Sequence, residues 1–161
     1  MDHLISPHGG TLCNLLVDED QAEKLKQESG KFLNVTLSQR HICDLELLLC
    51  GGLSPLRGFM DKASYESVIS KMRLPDGNLW SIPITFDVPA RLAEKIEPGQ
   101  RLALCDGEGF MVAALTVSDK WQPDKQREAL EIYGTTSTAH PGVRYLMEQV
   151  HETYVGGEVT G

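Results

Sequence analysis

The sequence predicts an α+β fold in which helices surround a mainly antiparallel, β-barrel-like sheet. Amphipathic stretches are interspersed with short apolar, β-prone runs. Two of these runs are joined by a turn at residues 106–109 that is typical of a β-hairpin. Strand–helix–strand repeats with glycine-rich turns, which favour a doubly wound parallel sheet, are missing. The chain has 161 residues, of which 41% are hydrophobic, so we assign residues 1–161 to a single domain.

The first fifty residues predict a helix, a strand and a second helix. Residues 18–29 are charged, with acidic side chains in the first turn, which is typical of a short exposed helix. Residues 32–37 form a β-prone run. Ser38 is suited to cap a helix over residues 39–50. The apolar side chains of this helix recur at helical spacing and predict a buried stripe formed by Ile42, Leu45, Leu48 and Leu49.

The middle of the chain predicts less regular structure. Residues 53–60 predict an irregular apolar loop, and a helix follows over residues 62–72 with an aspartate in the capping position. Residues 79–88 are strand-like, although Pro83 lacks the N–H that a ladder needs and therefore belongs at an edge or a bulge. Residues 89–96 predict a helical turn.

The last sixty residues predict a hairpin, two helices and a final strand. The hairpin strands are residues 101–105 and 110–117. A helix over residues 124–133 ends at a glycine, and a proline suited to a first helical turn begins the next helix, at residues 141–150. Residues 153–159 predict the final short strand.

Composition and charge exclude several classes of protein. The net charge of −8 disfavours binding to phosphate backbones and to anionic membranes. No apolar run approaches the roughly 20 residues that span a bilayer, and no signal peptide is visible. We therefore expect a cytoplasmic protein with no nucleic-acid and no membrane partner. We also expect reduced, buried thiols at Cys13, Cys43, Cys50 and Cys105.

The residues alone do not define a catalytic or metal site. The histidines lack zinc-motif spacings, and the glycine pair at residues 51–52 ends a helix, which is the wrong polarity for binding phosphate. The His8-Gly9-Gly10 segment either brings the backbone close to a ligand or forms a turn, and we favour the turn. Arg57 either pairs with an anion or a neighbouring domain, or lies at the surface on a packed stem.

Several segments along nearly the whole chain nevertheless recur together in one known family. They include SPHGG at residues 6–10, CDLELLL at 43–49, the glycines at 51–52, SPL at 54–56, GFM at 58–60, PIT at 83–85, HPGV at 140–143 and YVGG at 154–157. The ordered set resembles the N-terminal domain of the ATP sulfurylase (sulfate adenylyltransferase) family. The resemblance is to the branch of fungal enzymes and bacterial sulfurylase–kinase fusions. Cys50 and Leu53 depart from the usual asparagine and phenylalanine of the family.

The resemblance implies a PUA-like domain that is accessory to an enzyme. The family transfers the adenylyl group of ATP to sulfate, with magnesium, in a second, nucleotidyltransferase-like domain that carries a QxRNPxHxxH pattern. This sequence lacks that pattern. We therefore expect a truncated domain that is catalytically silent alone, with no catalytic, cofactor-binding or metal residues. ATP and magnesium would belong to the parent enzyme.

The resemblance also implies partners and structural residues. The expected partners are the catalytic domain of the same enzyme and further copies in a homo-oligomer. Apolar side chains in a loop favour an inter-domain contact, which we expect at Leu53, Arg57, Phe59 and Met60. The family-signature residues with an expected structural role are His8, Gly9, Gly10, Gly51, Gly52, Ser54, Pro55 and Gly58. The alternatives are a free-standing PUA-like module that binds RNA or a small ligand, and an independent small enzyme.

Overall fold

The computed structural model describes residues 5–161 as two compact units. Among the described residues, the first unit comprises residues 5–59, 99–117 and 157–161, and the second comprises residues 60–98 and 118–156. The elements of the described residues are, in chain order, α1 (Glu19–Ser29), β1 (Leu33–Thr36), α2 (Gln39–Leu49), β2 (Gly58–Phe59), α3 (Lys62–Lys71), β3 (Asp87–Val88), α4 (Ala90–Ala93), β4 (Arg101–Cys105), β5 (Met111–Trp121), α5 (Lys125–Tyr133), α6 (Pro141–Glu148) and β6 (Thr153–Thr160). Strands β5 and β6 each contribute residues to both units.

The first unit contains strands in the order β1-β4-β5-β6-β2. The β4–β5 and β2–β6 pairs are antiparallel, whereas β1 and β4 are parallel. Parallel pairing needs a long connection, and helix α2 lies within the stretch between these two strands. The predicted α+β class with a mainly antiparallel sheet is confirmed, but the strand path through the described residues is open and does not close into a barrel.

Helix α2 begins and buries its stripe largely as predicted. The Ser38 hydroxyl oxygen accepts from the N–H of His41 at 3.2 Å, and the His41 ring accepts from the N–H of Ser38, which completes a capping box. The buried residues of the helix are His41, Leu45, Leu48 and Leu49. Ile42 is only half-buried, because the stripe is centred one position away from it.

The prediction that all four cysteines are buried is wrong for three of them. Only Cys105 is buried, while Cys13 is half-buried and Cys43 and Cys50 are exposed. Cys43 lies two positions from the buried Leu45, a spacing that places the two side chains on different sides of a helix. Burial raises the pKa of the Cys105 thiol, so this group is poorly reactive.

The second unit has an aromatic and aliphatic core between helices α3, α5 and α6 and the strands. Its buried members are Tyr65, Ile69, Trp121, Ala129, Val143, Leu146, Val150 and Tyr154. Strand β3 pairs antiparallel with the beginning of β6. The predicted strand over residues 79–88 is therefore wrong except at its last two residues. Pro83 cannot donate to a ladder, and the Trp80 indole N–H donates to the Ile82 carbonyl at 2.9 Å.

None of the helices in residues 5–161 combines the length and the apolar character that crossing a membrane requires.

Candidate functional site

The glycine pair that ends α2 begins a tight turn that holds the N-terminal segment. Gly51 has a φ of +81°, which disfavours other residues, and a Cβ there would lie 2.8 Å from Cδ1 of Leu12. The Ser54 hydroxyl donates to the Gly51 carbonyl at 2.7 Å and accepts from the N–H of Cys13 at 2.9 Å. The structure thus brings Gly51 and Ser54 together in one hydrogen-bonded turn. The Ser54–Pro55 peptide bond is cis.

Gly58 marks a second close approach of two backbones. In strand β2 it lies opposite Glu158, and a Cβ at this position would overlap the carbonyl oxygen of Gly157. The N–H of Val159 donates to the Arg57 carbonyl at 2.9 Å. The prediction of an irregular loop over residues 53–60 is therefore wrong at β2. Only glycine fits at position 58 of this strand.

The four predicted contact residues differ in exposure. Phe59 is 2% exposed and Met60 is 3% exposed, so both side chains are buried within this chain. Leu53 is half-buried and Arg57 is exposed. The Arg57 guanidinium lies 3.6 Å from the Glu158 carboxylate, and both side chains are mostly exposed. Such a surface pair contributes little to stability, so Arg57 is available for other contacts.

The His8-Gly9-Gly10 segment forms a turn at the surface. The N–H of Gly10 donates to the Pro7 carbonyl at 2.9 Å, and Gly9 and Gly10 both have positive φ. The three residues are exposed. Of the two interpretations of this segment, the structure has the turn.

The second unit contains a buried carboxylate that the sequence analysis missed. The hydroxyls of Tyr65 and Tyr154 both donate to Oε2 of Glu128, at 2.9 and 3.0 Å. Burial, together with the charge of Glu128, raises the pKa of each tyrosine far above its ordinary value. Both hydroxyls therefore stay protonated at neutral pH. Proton donors held in this way stabilise the carboxylate and cannot act as bases.

An open groove of about 380 Å³ also lies in the second unit. Its lining residues are Ala90, Ala93, Glu94, Lys120, Trp121, Gln122 and Thr153. Lys120 is the basic residue of this lining, but its ammonium donates to the carbonyls of Ala93 and Ile96 at 3.0 and 2.6 Å. The ammonium thus caps the end of the short helix α4 rather than facing the groove as a phosphate-binding cation.

A histidine–carboxylate pair fixes the turn before β6. Asp87, in β3, is buried, and its Oδ2 accepts from the backbone N–H of His151 at 2.9 Å and lies 2.7 Å from Nδ1 of the same residue. Within the described part of the chain, His, Cys, Asp and Glu side chains do not form a group of three that could hold a metal ion.

Comparisons with known proteins show what the whole chain is similar to. A family model for a PUA-like domain matches residues 5–161. A sulfate adenylyltransferase from Kluyveromyces lactis is 46% identical over 157 residues, one from Mycosarcoma maydis is 44% identical over 158, and one from Synechococcus is 40% identical over 156. These matches cover 96%, 96% and 97% of this chain, but only 31%, 28% and 39% of the respective relatives.

One solved structure extends the comparison to three dimensions. A chain described as a hexameric APS kinase from Thiobacillus denitrificans matches 98% of this chain with a TM-score of 0.74 and 37% sequence identity. The match covers 27% of that chain. In both kinds of comparison, therefore, this chain is similar to one part of a much longer protein.

Proposed function

The chain belongs to the family of PUA-like domains, and on that premise we propose that it serves as the N-terminal accessory domain of a sulfate adenylyltransferase. The parent enzyme would form adenosine 5′-phosphosulfate and pyrophosphate from ATP and sulfate, with magnesium. The observation that carries this proposal is 40–46% identity to sulfate adenylyltransferases over nearly the entire chain. The sequence resemblance drawn from the ordered segments at residues 6–157 supports the same assignment.

The accessory role leaves the chemistry to another part of the parent enzyme. Transfer of an adenylyl group to sulfate brings anions together and needs preorganised cations to offset their repulsion. Two of the lysines of this chain are engaged elsewhere. Lys120 caps a helix, and Lys125 donates to the Val150 carbonyl and to Glu152 at 2.6 and 2.7 Å. ATP and magnesium would accordingly bind to the catalytic domain, and this chain would be silent on its own.

The proposal includes the setting of the parent enzyme. It would act in the cytoplasm in sulfate assimilation, and its catalytic domain would contact the turn after α2. Of the predicted contact residues, Leu53 and Arg57 are accessible, while Phe59 and Met60 are buried. The Thiobacillus protein is described as hexameric, which supports a homo-oligomer in the parent enzyme.

A chimera tests the proposed function. The chain would replace the matched 157 residues of the Kluyveromyces lactis enzyme, and sulfate-dependent release of pyrophosphate from ATP and magnesium would be measured. We expect activity from the chimera, and none from the chain alone or from the enzyme that lacks the matched segment. Adding the purified chain to the shortened enzyme is a second route to the same result.

Three outcomes would contradict the proposal. Pyrophosphate release by the chain alone would place an active site in these 161 residues. A chimera that folds but is inactive would contradict the proposed accessory role. Retention of RNA by the chain that weakens as salt rises would favour the alternative of a free-standing binding module.

A further inference from the structure

The two Asp-Gly pairs of the sequence both lie in exposed turns. One is Asp76-Gly77, in the turn after α3, and the other is Asp106-Gly107, in the hairpin turn between β4 and β5. Both glycines are exposed, and a Cβ at either one would meet open space. Because glycine has no side chain to obstruct the approach, a backbone nitrogen in such a pair can attack the preceding aspartate side chain.

The hairpin turn engages every main-chain N–H except that of Gly107. The N–H of Asp106 donates to the Phe110 carbonyl at 2.9 Å, and the N–H of Gly109 donates to the Asp106 carbonyl at 3.2 Å. Oδ1 of Asp106 accepts from the N–H groups of Glu108 and Phe110 at 3.0 and 2.9 Å. Within the described part of the chain, the N–H of Gly107 has no acceptor. The nitrogen that follows Asp106 is therefore held by no hydrogen bond.

The turn after α3 matches the hairpin turn in its carboxylate but differs in its glycine. Asp76 also accepts two hydrogen bonds, from the backbone N–H of Asn78 at 3.0 Å and from the side-chain amide of the same residue at 2.9 Å. The N–H of Gly77, however, donates to the Leu74 carbonyl at 2.9 Å. Asp76 is exposed, whereas Asp106 is half-buried. Exposure alone therefore favours reaction at Asp76, and the free glycine N–H favours reaction at Asp106.

We propose that Asp106 is a site of isoaspartate formation in the folded chain. The nitrogen of Gly107 loses its proton and bonds to Cγ of Asp106, and the carboxyl group releases one oxygen as water. Water then opens the resulting succinimide ring. Where it attacks the former main-chain carbonyl of Asp106, the bond from that carbonyl to nitrogen breaks and the chain continues through the former side chain. Ring opening consumes the one water that ring closure released, so no other reactant is needed.

The hydrogen bond at Gly77 sets the difference between the two sites. Because the attacking nitrogen must lose its proton, a hydrogen bond from its N–H opposes ring closure. The bond to the Leu74 carbonyl must be released before Asp76 can react, whereas Asp106 needs no such step. One backbone hydrogen bond corresponds to about fivefold in a rate. We therefore expect isoaspartate to form about fivefold faster at Asp106 than at Asp76.

The modified residue would be a substrate for a known class of enzyme. Isoaspartate keeps the mass and the charge of the residue but carries a free α-carboxylate. Protein carboxyl methyltransferases that act on isoaspartyl residues use this group: a carboxylate oxygen attacks the methyl carbon of a sulfonium donor, which leaves as a thioether. The carboxylate that accepts from Glu108 and Phe110 would become part of the main chain, so the turn must rearrange.

Ageing of the intact chain tests the proposal. The purified chain would be incubated at physiological temperature and pH, folded in one series and unfolded in urea in another. Peptide fragmentation by electron transfer distinguishes isoaspartate from aspartate at equal mass and would give a separate rate at each site. We expect the rate at Asp106 to exceed that at Asp76 about fivefold in the folded chain. In urea the two rates should be similar, because both turns are lost.

Two further measurements accompany the ageing. In a Gly107→Ala variant, the added methyl group should slow isoaspartate formation at Asp106 and leave the rate at Asp76 unchanged. An isoaspartyl methyltransferase with a labelled methyl donor should accordingly label the aged variant less than the aged original chain. Amide hydrogen exchange reports the N–H groups directly, and Gly107 should exchange faster than Gly77.

Three outcomes would overturn the proposal. The first is equal rates at the two sites of the folded chain, or a faster rate at Asp76. The second is an excess at Asp106 that persists unchanged in urea, because it would assign the difference to the flanking residues instead of the turns. The third is slower hydrogen exchange at Gly107 than at Gly77, which would show that the Gly107 N–H is held.

Discussion

Glu128 lies among aromatic side chains, where a carboxylate without hydrogen-bond partners would cost several kcal/mol. Two tyrosine hydroxyls offset this cost by donating to the same oxygen. The rings of Tyr65, Trp121 and Tyr154 also contact one another, with centroids 5.6–5.8 Å apart. Polar and aromatic contacts therefore stabilise the same point of the second unit.

Removal of one hydroxyl tests this arrangement. Tyr154→Phe keeps the ring but takes one donor from a buried carboxylate, so we expect a loss of about 1–3 kcal/mol in the free energy of unfolding. Urea denaturation would show a lower midpoint with an unchanged slope. The matched control is Tyr145→Phe, at a residue that is 40% exposed, where the loss should be smaller. Equal losses at the two positions would contradict the role assigned to Tyr154.

The same two hydroxyls predict the response of the protein to alkali. Burial raises the pKa of Tyr65 and Tyr154, so the unfolded chain loses these protons first as the pH rises. Their contribution to stability is complete below about pH 10 and decreases above it, by up to about 1.4 kcal/mol per pH unit for each hydroxyl.

Tyrosinate absorbance gives the measurement for this alkaline response. The signals of Tyr65 and Tyr154 should develop together with unfolding, followed by circular dichroism. In a Tyr65→Phe/Tyr154→Phe variant, the steep alkaline loss of stability should be reduced. Ionisation of all four tyrosines in a chain that is still folded would show that the two hydroxyls are not shielded.

The sequence holds only an ambiguous signal for the carboxylate cluster. Lys125, Glu128 and Ala129 share one side of α5, and all three are buried. Charged residues at such positions are more often typical of a solvated face. The partners that reverse this preference, Tyr65 and Tyr154, lie far away in the sequence, so spacing along the chain could not reveal them.

Among the elements, strand β2 depends most directly on one residue. A Cβ at Gly58 would overlap the backbone of β6 at Gly157 and Glu158. Backbone atoms cannot rotate away as a side chain does. We therefore expect Gly58→Ala to cost at least about 1–3 kcal/mol, as overpacking commonly does, with loss of β2–β6 pairing measured by amide hydrogen exchange.

A second glycine provides the matched control for Gly58. A Cβ at Gly107, in the hairpin turn, would meet open space, and this glycine does not have positive φ. Gly107→Ala should therefore leave the free energy of unfolding nearly unchanged or slightly higher. Similar costs at Gly58 and Gly107 would show that the close approach to β6 does not limit the residue at position 58.

Helices were more predictable than strands because their ends depend on neighbours in the sequence. The side chains of Ser38 and Asp61 each accept the backbone N–H of the third residue of their helices, as the capping positions predict. Asp124 caps α5 in the same way. Strand β2 and the start of β3 lack such local signals. Both strands pair with β6, which lies about a hundred residues after β2 and about seventy residues after β3 in the chain.

At the scale of the whole molecule, the fold class followed from the order of the elements, and the family from motifs spread along the chain. The exposure of single side chains was harder to predict. Apolar residues in a loop, such as Phe59 and Met60, favour an interface in the sequence but serve the core in the structure. The exposure of Leu47 on its helix is not evident from the sequence, because buried leucines lie beside it in the chain.

The division of the first unit among three stretches of sequence has a consequence for synthesis on the ribosome. Its first 59 residues emerge early, yet residues 157–161 belong to the same unit. The N–H of Val17 donates to the Gly161 carbonyl, and Gly161 donates back to Leu15. The nascent chain therefore cannot complete the first unit until residue 161 has been translated. By that time every residue of the second unit has also been made.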